Sequence, residues 1–288
     1  MKASELILNS DGSLYHLGLK PGDCAPLILT VGDPERVPMV SQYFDKISFT
    51  HQTREIHTHT GTISGRQLTV ISTGMGTDNI DIVFNELDAL FNMDLSTGNP
   101  LPTHTPLTFI RLGTSGAIQE NIDLNTIISA ETAIGFDNLL HHYQNTNHPM
   151  AAALTEYLSL PESFNHPYAY DADKSLLSVS NDLGFVKGVI ATHAGFYGPQ
   201  MRSLRLQPQQ FYSFKQLNKF RHDERAITHF DMESAGIYGL SSLLGHRALS
   251  VSAILANRAL GTFSSNPNIA VEKMIARVLE AISLGKFD

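Results

Sequence analysis

The stretch Phe109-Ile110-Arg111-Leu112-Gly113-Thr114-Ser115-Gly116 determines how the rest of the chain is interpreted. It begins as an apolar run typical of a short buried strand, and its glycine-rich end predicts a bend where that strand stops. Arg111 keeps its charge, so burying it requires an anionic partner. Two partners fit. One is a bound phosphate or carboxylate, served by backbone N–H groups and by the hydroxyls of Thr114 and Ser115; the other is an internal Asp or Glu.

Composition limits the classes of protein that fit. The chain has 288 residues, of which 42% are hydrophobic and 17% charged, as in a globular protein with a sizeable core. The net charge of -8 argues against nucleic acid or an anionic membrane as a partner, but it leaves a small anionic substrate open. No apolar run approaches the roughly 20 residues that span a bilayer, and the N-terminus does not resemble a signal peptide. Because Cys24 is the single cysteine, no internal disulfide can form, and we expect a cytoplasmic location.

Hydrophobic periodicity predicts alternating strands and helices. This alternation predicts the α/β class, with a central mixed β-sheet flanked by helices and a single domain over 1–288. The segment 211–229 is interpreted as polar, partly helical and partly loop. Strands are predicted at 26–31, 47–52, 56–61, 67–72, 126–132, 185–193 and 248–256, and helices at 34–44, 78–91, 231–244 and 269–282.

The segment that follows the first predicted strand is a second candidate anion site. Gly32 opens the backbone there, Asp33 is placed as the N-cap of a helix, and Pro34 as its first helical residue. Arg36 then lies in the first helical turn, and helix N-termini and arginines both favour anions. An ordinary strand-to-helix turn is the alternative.

Other polar clusters carry weaker signals. Gly74-x-Gly76 lacks the third glycine of a dinucleotide fingerprint, so a Rossmann cofactor site is rejected. His141, His142 and His148 are interpreted as part of a solvated polar loop, and no metal site is expected because no metal-ligand spacing is present.

The loop after the 185–193 strand combines rings with hydrogen-bonding side chains. Phe196 and Tyr197 offer ring faces, and Gln200 and Arg202 offer paired donors and an acceptor. Recognition of a planar heterocycle needs such a set, so the loop is a candidate base-binding site. Further along, Glu233 is either a helix-capping carboxylate or a ligand for sugar hydroxyls.

Several of these motifs together resemble the nucleoside phosphorylases of the uridine and hexameric purine type. They are Gly32-Asp33-Pro34-x-Arg36, Arg111-x-Gly113-Thr114-x-Gly116 and Met232-Glu233-Ser234. The loop from Phe196 to Arg202 is similar to the base-recognition loop of the uridine-specific members.

The resemblance assigns roles residue by residue. It implies catalytic roles for Arg111, Glu233, Gln200 and Arg202. It also implies phosphate contacts by Gly32, Arg36, Arg111 and Thr114 together with Arg54 from a neighbouring subunit, ribose contacts by Met232, Glu233 and a His16 that reaches across beside Tyr15, and base contacts by Phe196, Gln200 and Arg202.

The implied activity is phosphorolysis of a pyrimidine nucleoside, uridine and phosphate giving uracil and ribose 1-phosphate. The implied assembly is a homodimer or a hexamer built as a trimer of dimers, with shared active sites. Phosphate would be a co-substrate, and no cofactor is expected. Some relatives hold a monovalent cation at the interface; Glu55 matches their Glu, whereas Asn79 stands where they have Ser, and the cation is left undecided.

Three rival functions stay open. They are a purine or broad-specificity nucleoside phosphorylase, a hydrolytic nucleosidase, and a non-catalytic nucleoside-binding protein. Asn257 favours a pyrimidine, because purine-specific relatives tend to carry an Asp near this position.

Overall fold

A computed structural model describes residues 4–144, 148–209 and 211–287. In these residues the strands are β1 (Leu27–Val31), β2 (Lys46–Thr53), β3 (Ile56–Ile63), β4 (Arg66–Ser72), β5 (Met93–Asp94), β6 (Asn99–Pro100), β7 (Thr108–Ala117), β8 (Ile127–Gly135), β9 (Tyr168–Asp171), β10 (Val186–Thr192), β11 (Arg221–His222), β12 (Arg225–Asp231), β13 (Arg247–Asn257) and β14 (Thr262–Phe263). The α-helices are α1 (Arg36–Ser41), α2 (Thr77–Asn92), α3 (Pro149–Leu158), α4 (Lys174–Asp182), α5 (Phe214–Lys219), α6 (Ser234–Leu243) and α7 (Pro267–Ser283), and a 3-10 helix covers Leu139–His142.

One mixed sheet organises the fold. Its strand order is β11-β12-β10-β8-β13-β7-β1-β4-β3-β2, with β14 beside β13 and β9 beside β8. Strands β4, β1, β7 and β13 run parallel to one another, as do β8, β10 and β12, and the two groups meet antiparallel where β13 pairs with β8. Strand β12 also pairs with the end of β7, Phe230 opposite Gly116, which closes β7, β13, β8, β10 and β12 into a ring. This closure places the residues that follow β12 beside β7.

Helix α6 is fixed to the sheet at the junction of the two strand groups. Tyr238 is buried, and its hydroxyl donates to the carbonyl of Ala130 in β8 at 2.6 Å. The same oxygen accepts from the backbone N–H of Ser250 in β13 at 2.8 Å. One side chain therefore ties α6 to both neighbouring strands, and it sets where the N-terminus of the helix, at Glu233, lies.

The predicted α/β class is confirmed, with helices on a central mixed sheet. The predicted bend at 113–116 is wrong: β7 continues without interruption through Gly113 and Gly116 to Ala117. It remains a strand because its far end has partners on both sides, in β12 and β13. The interpretation of 211–229 is only partly right, since the segment contains α5 but also the start of β12.

The predicted start of α1 is also wrong. The helix begins at Arg36 and its N-cap is Glu35, which makes no side-chain capping bond. The Asp33 carboxylate instead accepts from the backbone N–H of Glu35 at 2.9 Å, which closes a local turn in which Pro34 precedes the helix. Arg36 is therefore the first helical residue of a short helix.

The histidine-containing loop is more structured than predicted. His141 and His142 belong to the 3-10 helix, and the side chain of His148 caps α3 by accepting from Met150 N at 3.2 Å. Residues 145–147 of this segment lie outside the described residues, as do the terminal residues 1–3 and 288 of the predicted single domain. None of the helices in the described ranges has the length and apolar character that crossing a membrane requires.

Candidate active site

Arg111 lies near the middle of β7 and is 7% exposed. Its Nη2 donates to Glu233 Oε2 at 2.5 Å and lies 3.5 Å from Asp231 Oδ2. Burial alone would lower the pKa of Arg111, but the charges of Glu233 and Asp231 raise it above the ordinary value. The internal ion pair that the sequence left open is therefore present. The other nitrogen, Nη1, is buried without a hydrogen-bond partner among the described residues.

Gly113 makes room for this guanidinium. A Cβ at Gly113 would lie 1.6 Å from Arg111 Nη1 and 2.7 Å from Cζ, so any side chain there would displace the guanidinium. The glycine therefore acts through close approach of a side chain, not through a turn. Gly113, two positions after Arg111 in β7, therefore leaves space for Arg111 Nη1, the nitrogen without a partner among the described residues.

The other phosphate residues predicted within one chain lie directly after β1, at the start of α1 and in β7. Arg36 Nη1 donates to the carbonyl of Leu112 at 3.2 Å. Burial, followed by the positive charge of Arg111, lowers the pKa of Arg36, so the two guanidinium groups are near each other. Gly32 follows β1, with its Cβ position 3.5 Å from the carbonyl oxygen of Gly74.

The hydroxyls of β7 have separate roles. Thr114 is half-buried in the strand. Ser115 does not provide the free donor that the sequence suggested, because its hydroxyl donates to the carbonyl of Phe230 in β12 at 2.5 Å. Ser115 thus helps to close the ring of strands.

Glu233 connects two sides of the site. It is the N-cap residue of α6 and is 5% exposed, and Met232 before it is half-buried. Its Oε1 accepts from the backbone N–H of Gly76 at 2.9 Å, at the start of α2, while Oε2 accepts from Arg111. A carboxylate offers about four lone-pair directions, so each oxygen retains acceptor capacity for a sugar hydroxyl.

Asp231 is a central residue that sequence reasoning missed. Its carboxylate accepts from Thr192 Oγ at 2.7 Å and from the Ser234 hydroxyl at 2.6 Å. Its backbone carbonyl accepts from the Gln200 side chain at 3.2 Å. Its place directly before Met232-Glu233 was the available signal, but only the closure of β12 onto β7 brings it to Arg111.

The predicted base loop forms a connected polar group. Gln200 is 2% exposed, and its Oε1 accepts a hydrogen bond from Arg202 Nη1. The Arg202 guanidinium lies 3.8 Å from the centroid of the Phe196 ring, and burial lowers the pKa of Arg202. Arg258 Nη1 donates to the backbone carbonyl of Gln200 at 2.8 Å, and burial, then the charge of Arg202, lower the pKa of Arg258 to about 10. Phe196 is 49% exposed as a residue, so part of its ring is available for stacking beside the Arg202 contact.

The residues predicted to act across an interface form a surface patch. Arg54 is exposed at the turn between β2 and β3, and its guanidinium carbon lies 5.6 Å from the Tyr15 ring centroid. The rings of Tyr15 and His16 are in edge contact, with centroids 5.0 Å apart. Glu55 and Asn79, for which a cation was left undecided, converge on Gly74: its Cβ position lies 3.0 Å from Glu55 Cγ and 2.3 Å from Asn79 Nδ2.

The interpretation of Asn257 as a base-selecting position is not supported by its contacts. The side chain is 1% exposed, and its Nδ2 donates to the carbonyls of Gln119 and Ile122, both at 2.9 Å. Its Oδ1 accepts from the backbone N–H groups of Ala259 and Leu260 at 3.0 and 3.1 Å. All these bonds go to backbone, so Asn257 holds two loops together.

Asp88, His104 and His246 are the residues of the described chain that come closest to a metal-ligand set, with ligand atoms within 4.8 Å of one another. His246 Nδ1 accepts from the backbone N–H of Leu107 at 3.1 Å, so a neutral imidazole carries its proton on Nε2. That nitrogen faces Asp88 Oδ1 at 3.1 Å and has no lone pair for a metal. The cluster is better described as a polar clamp between α2 and the start of β13.

The family model described as the phosphorylase superfamily matches residues 26–283. The chain belongs to the phosphorylase superfamily. It is 31% identical to a uridine phosphorylase of Thermococcus kodakarensis over 253 residues, covering 88% of this chain and 80% of that protein. It is 27% identical to a uridine phosphorylase of Haemophilus influenzae over 275 residues, covering 93% and 96%.

Among solved structures, a Trypanosoma brucei nucleoside phosphorylase described as showing uridine phosphorylase activity superposes with a TM-score of 0.86. It shares 28% sequence identity, and the match covers 96% of this chain and 98% of that one. Purine nucleoside phosphorylases are also among the superfamily relatives. The family predicted from the sequence motifs is confirmed.

Proposed function

We propose that this protein catalyses phosphorolysis of a pyrimidine nucleoside, converting uridine and phosphate to uracil and ribose 1-phosphate in nucleoside salvage or catabolism. Its uridine phosphorylase relatives support this reaction. The observation that carries the proposal is the buried Arg111, which is paired with Glu233 through one nitrogen and has no partner on the other among the described residues. That arrangement places a hydrogen-bond donor for an anion beside a hydrogen-bond acceptor for hydroxyl groups. A ribose with a phosphate beneath it requires both.

On the phosphate side, Arg36 at the start of α1 and Arg111 in β7 supply charge from within one chain. Gly32 follows β1, and Thr114 lies in β7. Arg54 is proposed to come from a neighbouring subunit, because it is exposed beside Tyr15. Guanidinium forks bind phosphate oxygens in pairs, so these groups hold the nucleophile and balance the positive charge that develops on the sugar.

On the base side, Phe196 is proposed to stack on the pyrimidine, and Gln200 and Arg202 to bind its edge. In the reaction a phosphate oxygen bonds to C1′ while the C1′–N1 bond breaks and its electron pair leaves with the uracil. Gln200 and Arg202 are already bonded to each other, so a uracil carbonyl would meet oriented donors. Donors aimed at developing charge contribute about 3–4 kcal/mol each to transition-state stabilisation.

On the ribose side, Glu233 and Met232 are proposed to contact the 2′- and 3′-hydroxyls, and His16 to reach a neighbouring subunit. A homodimer or a ring of dimers with shared sites is therefore part of the proposal.

We also propose that phosphate is a co-substrate and that no cofactor takes part. The cytoplasm is the proposed compartment, because a single cysteine fits a reducing environment.

The deciding experiment measures release of uracil from uridine and of hypoxanthine from inosine, each with and without phosphate. We expect phosphate-dependent release of uracil that exceeds release of hypoxanthine. Faster release of hypoxanthine from inosine would favour a purine nucleoside phosphorylase, the activity named for some of the relatives. Release without phosphate would indicate a hydrolase, and binding of uridine without turnover would indicate a non-catalytic protein.

A further inference from the structure

A buried carboxylate on α2 determines how His16 is presented. Glu86 Oε1 lies 2.5 Å from His16 Nδ1, and Oε2 accepts from the backbone N–H of Leu17 at 3.0 Å. A carboxylate bonded in this way only accepts, so the hydrogen between Glu86 and His16 belongs to Nδ1. The other ring nitrogen, Nε2, is then the end that a further group can reach, and the His16 side chain is 33% exposed.

Glu86 is out of place as a packing residue. It is 9% exposed on the buried face of α2, next to Leu87 and among the side chains of the core. A carboxylate at such a position destabilises the fold unless its oxygens accept hydrogen bonds. One oxygen is bonded to His16 Nδ1, and the other accepts from the backbone N–H of Leu17. An apolar residue would pack there more simply, so the carboxylate is best explained by what it does to His16.

His16 lies at a distance from the ribose side of its own chain's site. Helix α2 begins directly after Gly76, whose N–H binds Glu233, and Glu86 lies ten residues further along the helix. At 1.5 Å per residue this places Glu86 and its histidine roughly 15 Å along the axis from the ribose side of the site. The His16 ring, partly exposed, instead contacts the Tyr15 ring of the surface patch that also includes Arg54.

We propose that Glu86 is a positioning residue that fixes the tautomer and orientation of His16, so that Nε2 accepts a hydrogen bond from the nucleoside 5′-hydroxyl in a neighbouring copy of the chain. This inference rests on the proposed function. It makes recognition of the 5′-hydroxyl depend on a residue that never touches the nucleoside.

The test compares kcat/KM for uridine with kcat/KM for 5′-deoxyuridine, both with phosphate. The ratio of these two values is independent of the fraction of enzyme that is folded, so it can be measured even for a destabilised variant. His16→Ala removes the acceptor, and we expect the ratio to fall about tenfold, as for one lost hydrogen bond. Glu86→Ala is expected to lower the ratio to within about twofold of His16→Ala, since an unanchored ring loses the same bond.

Two further variants separate positioning from general damage. Glu86→Gln retains one acceptor oxygen, which can satisfy His16 or Leu17 but not both, so an intermediate ratio is expected. Asp88→Asn is the matched control: Asp88 is on the same helix and also faces an imidazole, that of His246, but it lies outside the site, so the ratio should stay at the wild-type value.

The outcomes are distinct. A Glu86→Ala enzyme that loses activity on both substrates equally overturns the inference. So does a Glu86→Ala/His16→Ala double variant whose ratio falls clearly below that of His16→Ala alone. A wild-type ratio close to one also overturns it while leaving the proposed function intact. Absence of phosphate-dependent uracil release from either substrate by the wild-type enzyme would instead refute the proposed function.

Discussion

Arg111 and Glu233 are 122 positions apart in the chain, yet 2.5 Å separates Nη2 of one from Oε2 of the other. The contact exists because β12 pairs with the end of β7 and so delivers the start of α6 to the middle of that strand. Each partner keeps capacity for a ligand: Arg111 Nη1 has no hydrogen-bond partner in the described part of the chain, and Glu233 has remaining lone pairs. The ion pair thus preorganises the two groups that would hold phosphate and ribose.

Replacing Arg111 by lysine should separate charge from geometry. A lysine retains the positive charge but cannot serve Glu233 and phosphate at once, because it lacks the planar fork. We expect kcat/KM to fall by at least about a hundredfold, with most of the loss in the KM for phosphate. Steady-state kinetics with varied phosphate measure this. Arg247→Lys is the control, because Arg247 donates to Thr108 at the start of β7, and this variant should retain wild-type kinetics. An unaffected Arg111→Lys enzyme would contradict the assignment.

A methyl group at position 113 should displace the same guanidinium. The Gly113→Ala Cβ would lie 1.6 Å from Arg111 Nη1, so the side chain must move. A displacement of about 1 Å costs up to a hundredfold in rate, and we expect a loss of that order in phosphate-dependent turnover. Gly116→Ala in the same strand is the matched control, because its nearest neighbour, Arg258 Cγ, is 3.6 Å away. Equal activity of the two variants would show that the position of Arg111 does not matter.

Gln200→Ala should damage uridine recognition far more than phosphate binding. The amide lies between Asp231 and Arg202, so its removal leaves the base edge without one donor and one acceptor. Arg202 then retains only its contacts with Phe196 among the described residues. We expect kcat/KM for uridine to fall about a hundredfold, with the KM for phosphate within about twofold of wild type. Gln207→Ala, an exposed glutamine in the same loop, is the control. Intact uridine turnover in Gln200→Ala would show that the base loop is wrongly assigned.

Local sequence signals predicted much of the architecture. The apolar runs before Gly32 and around Leu68 and Val189 are strands, and the periodic segments that begin near Thr77 and Pro267 are helices. Such runs reflect burial on both faces of a sheet, which the residues themselves encode. The class and the family were therefore accessible from the sequence alone.

What the sequence could not predict depends on contacts between distant segments. Gly113 and Gly116 were interpreted as a bend because glycines often terminate strands, but pairing with β12 and β13 holds them extended. Asp231 and Glu86 were missed because each gains its meaning from a partner far away in the chain, Arg111 and His16 respectively. Periodicity carries no information on such pairs, so the predicted site lacked the residues that orient it.

Asn257→Asp should destabilise the protein without creating purine activity. The Asn257 amide donates to the carbonyls of Gln119 and Ile122, and a carboxylate can donate to neither. We expect the free energy of unfolding to fall by about 3 kcal/mol, since two buried acceptors lose their donor and a charge is buried. Chemical denaturation, with the inosine-to-uridine activity ratio, measures both effects. Asn99→Asp at an exposed position is the control; wild-type stability with new inosine activity would restore Asn257 as a base-selecting residue.

Two buried histidines should make the fold sensitive to acid. Burial lowers the pKa of His193 and of His229 from 6.5 to about 3, so both stay neutral in the folded protein. The unfolded chain binds protons between those values and the folded chain does not. The free energy of unfolding is therefore fully retained above about pH 6.5 and falls as the pH drops from there toward about 3.

His193→Phe should remove one of these two contributions. The phenyl ring can keep the stack on Phe136, where the present rings are 5.0 Å apart and 7° from parallel. Near pH 5 we expect unfolding of the variant to take up about one proton fewer than unfolding of the wild type, and its stability to fall less steeply with acid. Denaturant titrations at several pH values give this slope, and the difference should vanish above about pH 7.5. Equal slopes near pH 5 would mean that His193 is protonated in the folded protein, contrary to its complete burial.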